Sequence, residues 1–227
     1  MAAIEVRHIE MQHINVKLLL KESTQLDLDP VIPVFHGWIQ QQVADELLLD
    51  VADYRHVQAG PGVVLIGHEA DYSLDDADGR LGVRYNRKAI LDGSNQDRLT
   101  QAARSAMTAC VRLQQDTRLN GKLNFNGQDV EIFINDRLLA PNTAATREAV
   151  KPEFHAFADK LFGGREYSQA FGSESSSGES ADPRRLLTVS LHAARPFTIE
   201  DLMDNLKSAI PSADVSKPTQ AEVRSNG

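Results

Sequence analysis

The sequence predicts an α+β fold: a mixed, mostly antiparallel sheet with helices packed on it. Three observations predict it. Short apolar or alternating segments bounded by Gly, Pro, Asn and Asp recur along the chain and read as strands. Between them stand segments of helical period. The clearest runs from Asn95 to about Asp116 and sets Leu99, Ala102, Ala103, Ala106, Met107, Cys110 and Leu113 on one stripe. Turn signals at Asp75–Gly79 and Asn126–Gly127 are placed to join neighbouring strands as hairpins.

Taken in order, His13–Lys21 reads as a first, partly amphipathic strand. A helix follows to about Val43. Asp29 is its expected N-cap and Pro30 its first residue, where no N–H is needed. Val31, Phe35, Trp38 and Ile39 form its apolar stripe. Leu47–Val57 and Val63–Ser73 read as the next two strands, separated by the Gly60-Pro61-Gly62 turn. The hairpin Asp75–Gly79 leads into Arg80–Lys88, with Gly79 suited to a positive φ. Ser94 and Asp97 make a capping-box pair for the long helix, with Asp in place of Glu or Gln. Asn126-Gly127 predicts a tight hairpin before Val130–Ile134. A helix spans about Ala144 to Phe162, kinked or divided at Pro152 and ended by Gly163-Gly164. Leu186–Ala193 is a strand, and Thr198 caps a last helix from Ile199 to about Ile210. The Ser-, Gly- and acid-rich segment 172–183 reads as a flexible loop and 211–227 as a disordered tail. One α+β domain over 13–210 is therefore expected.

Two stretches read alike. Pro33-Val34-Phe35-His36-Gly37-Trp38 and Pro152-Glu153-Phe154-His155-Ala156-Phe157 each follow a strand. On this pattern the halves 13–116 and 120–210 would be pseudo-repeats of a β-α-β-β-α unit. Proline near a helix start and aromatics on a core face are also common without duplication, and the two spacings differ by a few residues.

Composition narrows the function classes. The 227 residues include 24 Lys and Arg against 32 Asp and Glu, a net charge of -8, with 41% apolar residues. That excludes a wholly disordered chain, a collagen-like fibre and a disulfide scaffold. The single cysteine, Cys110, forbids an intramolecular disulfide and a cysteine-based zinc site, and it fits a reducing, cytoplasmic setting. Met1–His13 lacks an apolar core of signal length, and Val63–Ile66 is far too short to span a bilayer. The acidic balance opposes generic phosphate-backbone binding. The expected partner is a protein or a small polar ligand, not nucleic acid or membrane. No zincin, nucleophile-elbow, P-loop or dinucleotide string is present, and no cofactor is indicated.

The densest polar cluster runs from Asp50 to Lys88, and the carboxylate and histidine candidates lie between Asp53 and Lys88. If the hairpin centres between Ala77 and Asp78, Asp71 faces Arg84 and Glu69 faces Asn86. Glu69, Asp71, Arg84, Asn86 and Lys88 would then share one face, opposite Val64, Ile66, His68, Tyr72, Val83 and Tyr85. Glu69 and Asp71 are candidate acid/base groups or metal ligands with His56 or His68 supplying nitrogen, because carboxylate plus imidazole suits proton transfer or a divalent metal. Cross-strand ion pairing is the competing and more frequent reason for such a cluster. Asp136 and Arg137 follow a strand end where ligand loops often form, as do plain turns and caps. Arg84, Asn86, Asp136 and Arg137 are thus the candidate ligand-binding residues. Two functions are expected from this reading. One is a binding or assembly protein; the other is a small-molecule or metal-dependent enzyme using the Asp53–Lys88 cluster.

Overall fold

The structure is a computed structural model and describes residues 9–21, 26–58, 60–172 and 180–208. The tail expected at 211–227, and residues 173–179 of the loop expected at 172–183, lie outside the described residues. Eight strands form one sheet: β1 (Ile14–Leu20), β2 (Leu48–Asp53), β3 (Val63–Gly67), β4 (Ala70–Asp75), β5 (Gly82–Arg87), β6 (Phe125–Ile134), β7 (Tyr167–Phe171) and β8 (Leu187–Ala193). Their order is β2-β3-β4-β5-β1-β6-β8-β7, and every pairing is antiparallel. Four helices pack on it: α1 (Val31–Gln41), α2 (Asn95–Gln115), α3 (Ala144–Leu161) and α4 (Ile199–Ser208). The α+β class therefore stands, and the sheet is antiparallel throughout rather than mixed.

Side-chain alternation explains why the helices take one face. Ile14, Val16 and Leu18 of β1, Val83 and Tyr85 of β5, and Val130, Ile132 and Ile134 of β6 are buried on the face that α2 and α4 cover. Alanines at 102, 103, 106 and 109 of α2 are buried with Leu99, Met107, Cys110 and Leu113, which lets the helix axis sit close to the strands. The Ser94–Asp97 box forms as expected. The Ser94 side chain accepts from the Asp97 N–H, and the Asp97 carboxylate accepts from the Ser94 N–H at 2.8 Å. A similar reciprocal pair, Thr198 with Asp201, starts α4.

Several expectations are corrected. Val63–Ser73 is two strands, because the chain reverses at His68-Glu69 and pairs Val63 with Leu74. The turn inverts the parity of the segment. Val63 and Leu65 join Tyr72 on the helix-covered face, while Val64 and Ile66 fall on the other. Gly67 permits the reversal: a Cβ there would stand 2.5 Å from the Ala70 carbonyl oxygen. Asn126-Gly127 makes no hairpin. Neither residue has a positive φ, and both belong to β6, whose partners are the distant β1 and β8. Gly127 serves packing instead, since a Cβ would meet the Phe197 carbonyl oxygen at 2.6 Å. Asp29 does not cap α1. The helix starts after Pro30 with no side-chain cap, and the Asp29 carboxylate pairs with Arg55. Helix α3 is assigned without interruption through Pro152. Strand β7 has no counterpart in the sequence reading.

The two halves share a path but not an element count. Each runs from a central strand through a helix to the outermost strand and meanders back: β1-α1-β2-β3-β4-β5-α2 and β6-α3-β7-β8-α4. The first half has two strands more, so the repeat of a β-α-β-β-α unit is not met there. The aromatic pairs Phe35/Trp38 and Phe154/Phe157 are all buried beneath their helices. The extra strands have a spatial consequence. Helix α1 packs on β2 and β3, α2 packs on β5 and β1, and β4 lies between their main contacts.

A candidate binding cleft between two helices

The sequence candidates do not converge. Asp75 pairs with Gly82, so the β4–β5 hairpin centres one residue later than expected. Asp71 faces Asn86, and Arg84 faces Ser73. Asp71, Arg84 and Asn86 do share the sheet face away from the helices, as alternation requires. Asp71 takes the Lys88 ammonium at 2.6 Å. Arg84 lies 4.4 Å over the Phe133 ring and pairs with Asp75 at 3.4 Å. Beneath them Lys17 pairs with Asp75, also at 3.4 Å, with both side chains almost inaccessible. Breaking such a buried pair leaves a charge without its partner, which is the costly event. Glu69 is not on this face. It sits in the β3–β4 turn and pairs with Arg87 at 3.0 Å. His68 is exposed at the same turn rather than on the apolar face, and His56 is exposed in the β2–β3 connection. Asp136 closes its own turn, accepting from Leu138 and Leu139, while Arg137 donates to the Arg184 carbonyl oxygen. Among the described residues no group of three or more His, Cys, Asp or Glu side chains could hold a metal ion. No helix among them is long and apolar enough to cross a membrane.

A concavity lies on the helix face, over the strands that separate α1 from α2. Its volume is about 830 Å³, within the range of small-molecule sites. Leu48, Leu65 and Tyr72 supply its floor. The α1 side contributes Trp38 and the following Val43-Ala44-Asp45. The α2 side contributes Gln101, Arg104, Ser105, Thr108 and Arg112, the polar face complementary to the buried stripe.

Behind the floor the polar groups are tied together. Tyr72 and Tyr85 meet edge-on with centroids 5.2 Å apart. The Gln101 amide donates to the Tyr85 hydroxyl at 3.0 Å and to Ser105 Oγ at 3.1 Å. Glu46 closes the β3–β4 turn by accepting from the Ala70 N–H at 2.6 Å and the Glu69 N–H at 3.1 Å. Burial raises the Glu46 carboxyl above its usual range, against the lowering effect of those bonds and of the neighbouring Tyr72 hydroxyl. The Tyr72 hydroxyl is pushed up in turn, by burial first and then by the Glu46 charge.

Sequence reading missed this place because the α2 polar face reads as a solvent face. Its one legible signal is compositional: the only tryptophan of the chain stands on the neighbouring helix. Comparison of the chain with family models, with curated proteins and with solved structures finds no match.

Proposed function

We propose that the chain is a binding protein and that the α1–α2 cleft is where it holds its ligand. The observation that carries this is the cleft itself, with an apolar floor of Leu48, Leu65 and Tyr72, Trp38 at one wall and a row of polar side chains at the other. Ligand sites combine these two elements: apolar area for affinity and a few polar groups for orientation. The scattering of Glu69, Asp71, His56 and Asp136 into separate ion pairs, turns and exposed loops supports binding over the acid/base chemistry they could have performed together. A reducing compartment belongs to the same reading, since Cys110 is unpaired and fully buried.

Trp38 makes the reading testable without knowledge of the natural ligand. The dye 8-anilinonaphthalene-1-sulfonate, titrated into folded protein, is expected to quench Trp38 emission by energy transfer as its own emission rises. Thr108→Phe, at a partly exposed α2 position, fills the cleft and should abolish both signals while leaving the far-UV circular dichroism unchanged. Dye binding that survives Thr108→Phe undiminished, or that never quenches Trp38, would sink the proposal.

A further inference from the structure

We infer that the ligand of the cleft is an amphiphilic anion: an apolar or aromatic body carrying one oxyanionic head, with Arg104 and Arg112 receiving the head. This rests on the cleft being a binding site and adds the chemical class of what enters it. The charge pattern of the lining carries the inference. Five charged side chains line the cleft: Asp45, Asp97, Arg104, Arg112 and Lys160. Asp97 is engaged by Ser94 and lies near Lys160, which donates to Gln96. Arg104 and Arg112 form no ion pair among the described residues. Asp45 stands on the opposite side of the cleft and does not pair with either.

The two arginines are eight residues apart on α2, with Thr108 midway. Positions four apart stand on one helix face, about 6 Å along the axis. Both guanidinium groups can therefore reach an oxyanion at the level of Thr108. Arginine suits this role because its planar donors match carboxylate, sulfonate or phosphate oxygens in pairs. The floor residues Leu65 and Tyr72, with Trp38 at the α1 wall, carry no charge and suit an apolar body, while Asp45 is the one acidic side chain on the α1 side. The volume of about 830 Å³ fits one compact molecule.

Two dyes separate head from body. N-phenyl-1-naphthylamine has the ring systems of 8-anilinonaphthalene-1-sulfonate without the sulfonate. In the intact chain both are expected to quench Trp38, the anion at lower concentration, and added salt should weaken the anion alone. Arg104→Gln with Arg112→Gln should weaken the anion about ten- to a hundredfold, the loss of charge-assisted bonds, and leave the neutral dye unchanged. Arg104→Lys with Arg112→Lys, which keeps the charge, should restore part of the difference and covers the case of a glutamine variant that folds poorly. Equal weakening of both dyes, or no weakening of the anion, would overturn the inference while leaving the cleft as a binding site. Failure of both dyes to reach Trp38 would remove the cleft reading itself.

Discussion

Glu46 shows how one side chain can serve the fold and tune it. Its carboxylate ties the β3–β4 turn, and burial holds its proton more firmly than an unfolded chain would. The native state thus binds more protons than the unfolded one between the ordinary glutamate range and the raised native value. Stability from this group is present at low pH and is lost as pH climbs through that window. Asp53, Asp97 and Asp116 act in the opposite sense, because hydrogen bonds lower their carboxyls and their contribution is lost as pH falls. Glu46→Gln keeps an acceptor for the two turn N–H groups but cannot ionise. Urea unfolding across about pH 4 to 8 should show the variant gaining on the wild type as pH rises through the window. A pH-independent difference would show that the fold does not raise the Glu46 carboxyl. Glu46 had no distinguishing signature in the sequence, because its burial comes from a turn more than twenty residues away.

At the scale of elements, local signals were legible and long-range ones were not. Helix α2 was readable in full, since its apolar period, alanine stripe and Ser94–Asp97 box are all written within one segment. Removing that box tests its worth. Ser94→Ala should cost about 1 kcal/mol in urea unfolding and leave the sheet intact by circular dichroism. A change indistinguishable from zero would mean the first turn is held by tertiary contacts, such as Asn95 Oδ1 accepting from the Met11 N–H. Strands β3 and β4 were fused in the sequence reading because Gly67-His68-Glu69-Ala70 lacks the Asn-Gly or Pro signature of a tight turn. Asn126-Gly127 has that signature and makes no hairpin, because pairing with β1 and β8 prevails over local propensity. The fused reading also concealed the cleft, whose floor is formed by Leu65 of one strand and Tyr72 of the other.

One hydrophobic cluster of buried residues runs from Met11 to Leu206 and takes in every strand but β7 and all four helices, with Tyr167 and Phe171 of β7 packed against it. A continuous sheet over such a core should unfold as a unit. Trp38 emission, local to the first half, and far-UV circular dichroism, which reports all elements, should give the same urea midpoint. Cys110, fully buried in α2 with its thiol pushed well up by burial, should react with a thiol reagent only as that transition is crossed. A fluorescence transition clearly ahead of the dichroism would show that the two halves come apart separately. The α+β class was legible because alternation and helical period survive small errors of boundary. The candidate site was not, because it depends on the distance between two helices, and that distance follows from the number of strands laid between them.

The position of β1 sets a schedule for biosynthesis. Of the described strands it is made first, and it lies inside the sheet, yet Lys17 must wait for Arg84 on one side and for Glu131 on the other. At a synthesis rate of about 5–20 residues per second, the wait is roughly ten seconds. During that interval β5 can close only one backbone edge of this apolar strand, joining it to the outer meander from β2 to β5, and the other edge stays unmatched. The nascent chain therefore carries one open edge on β1 until β6 leaves the ribosome and closes it.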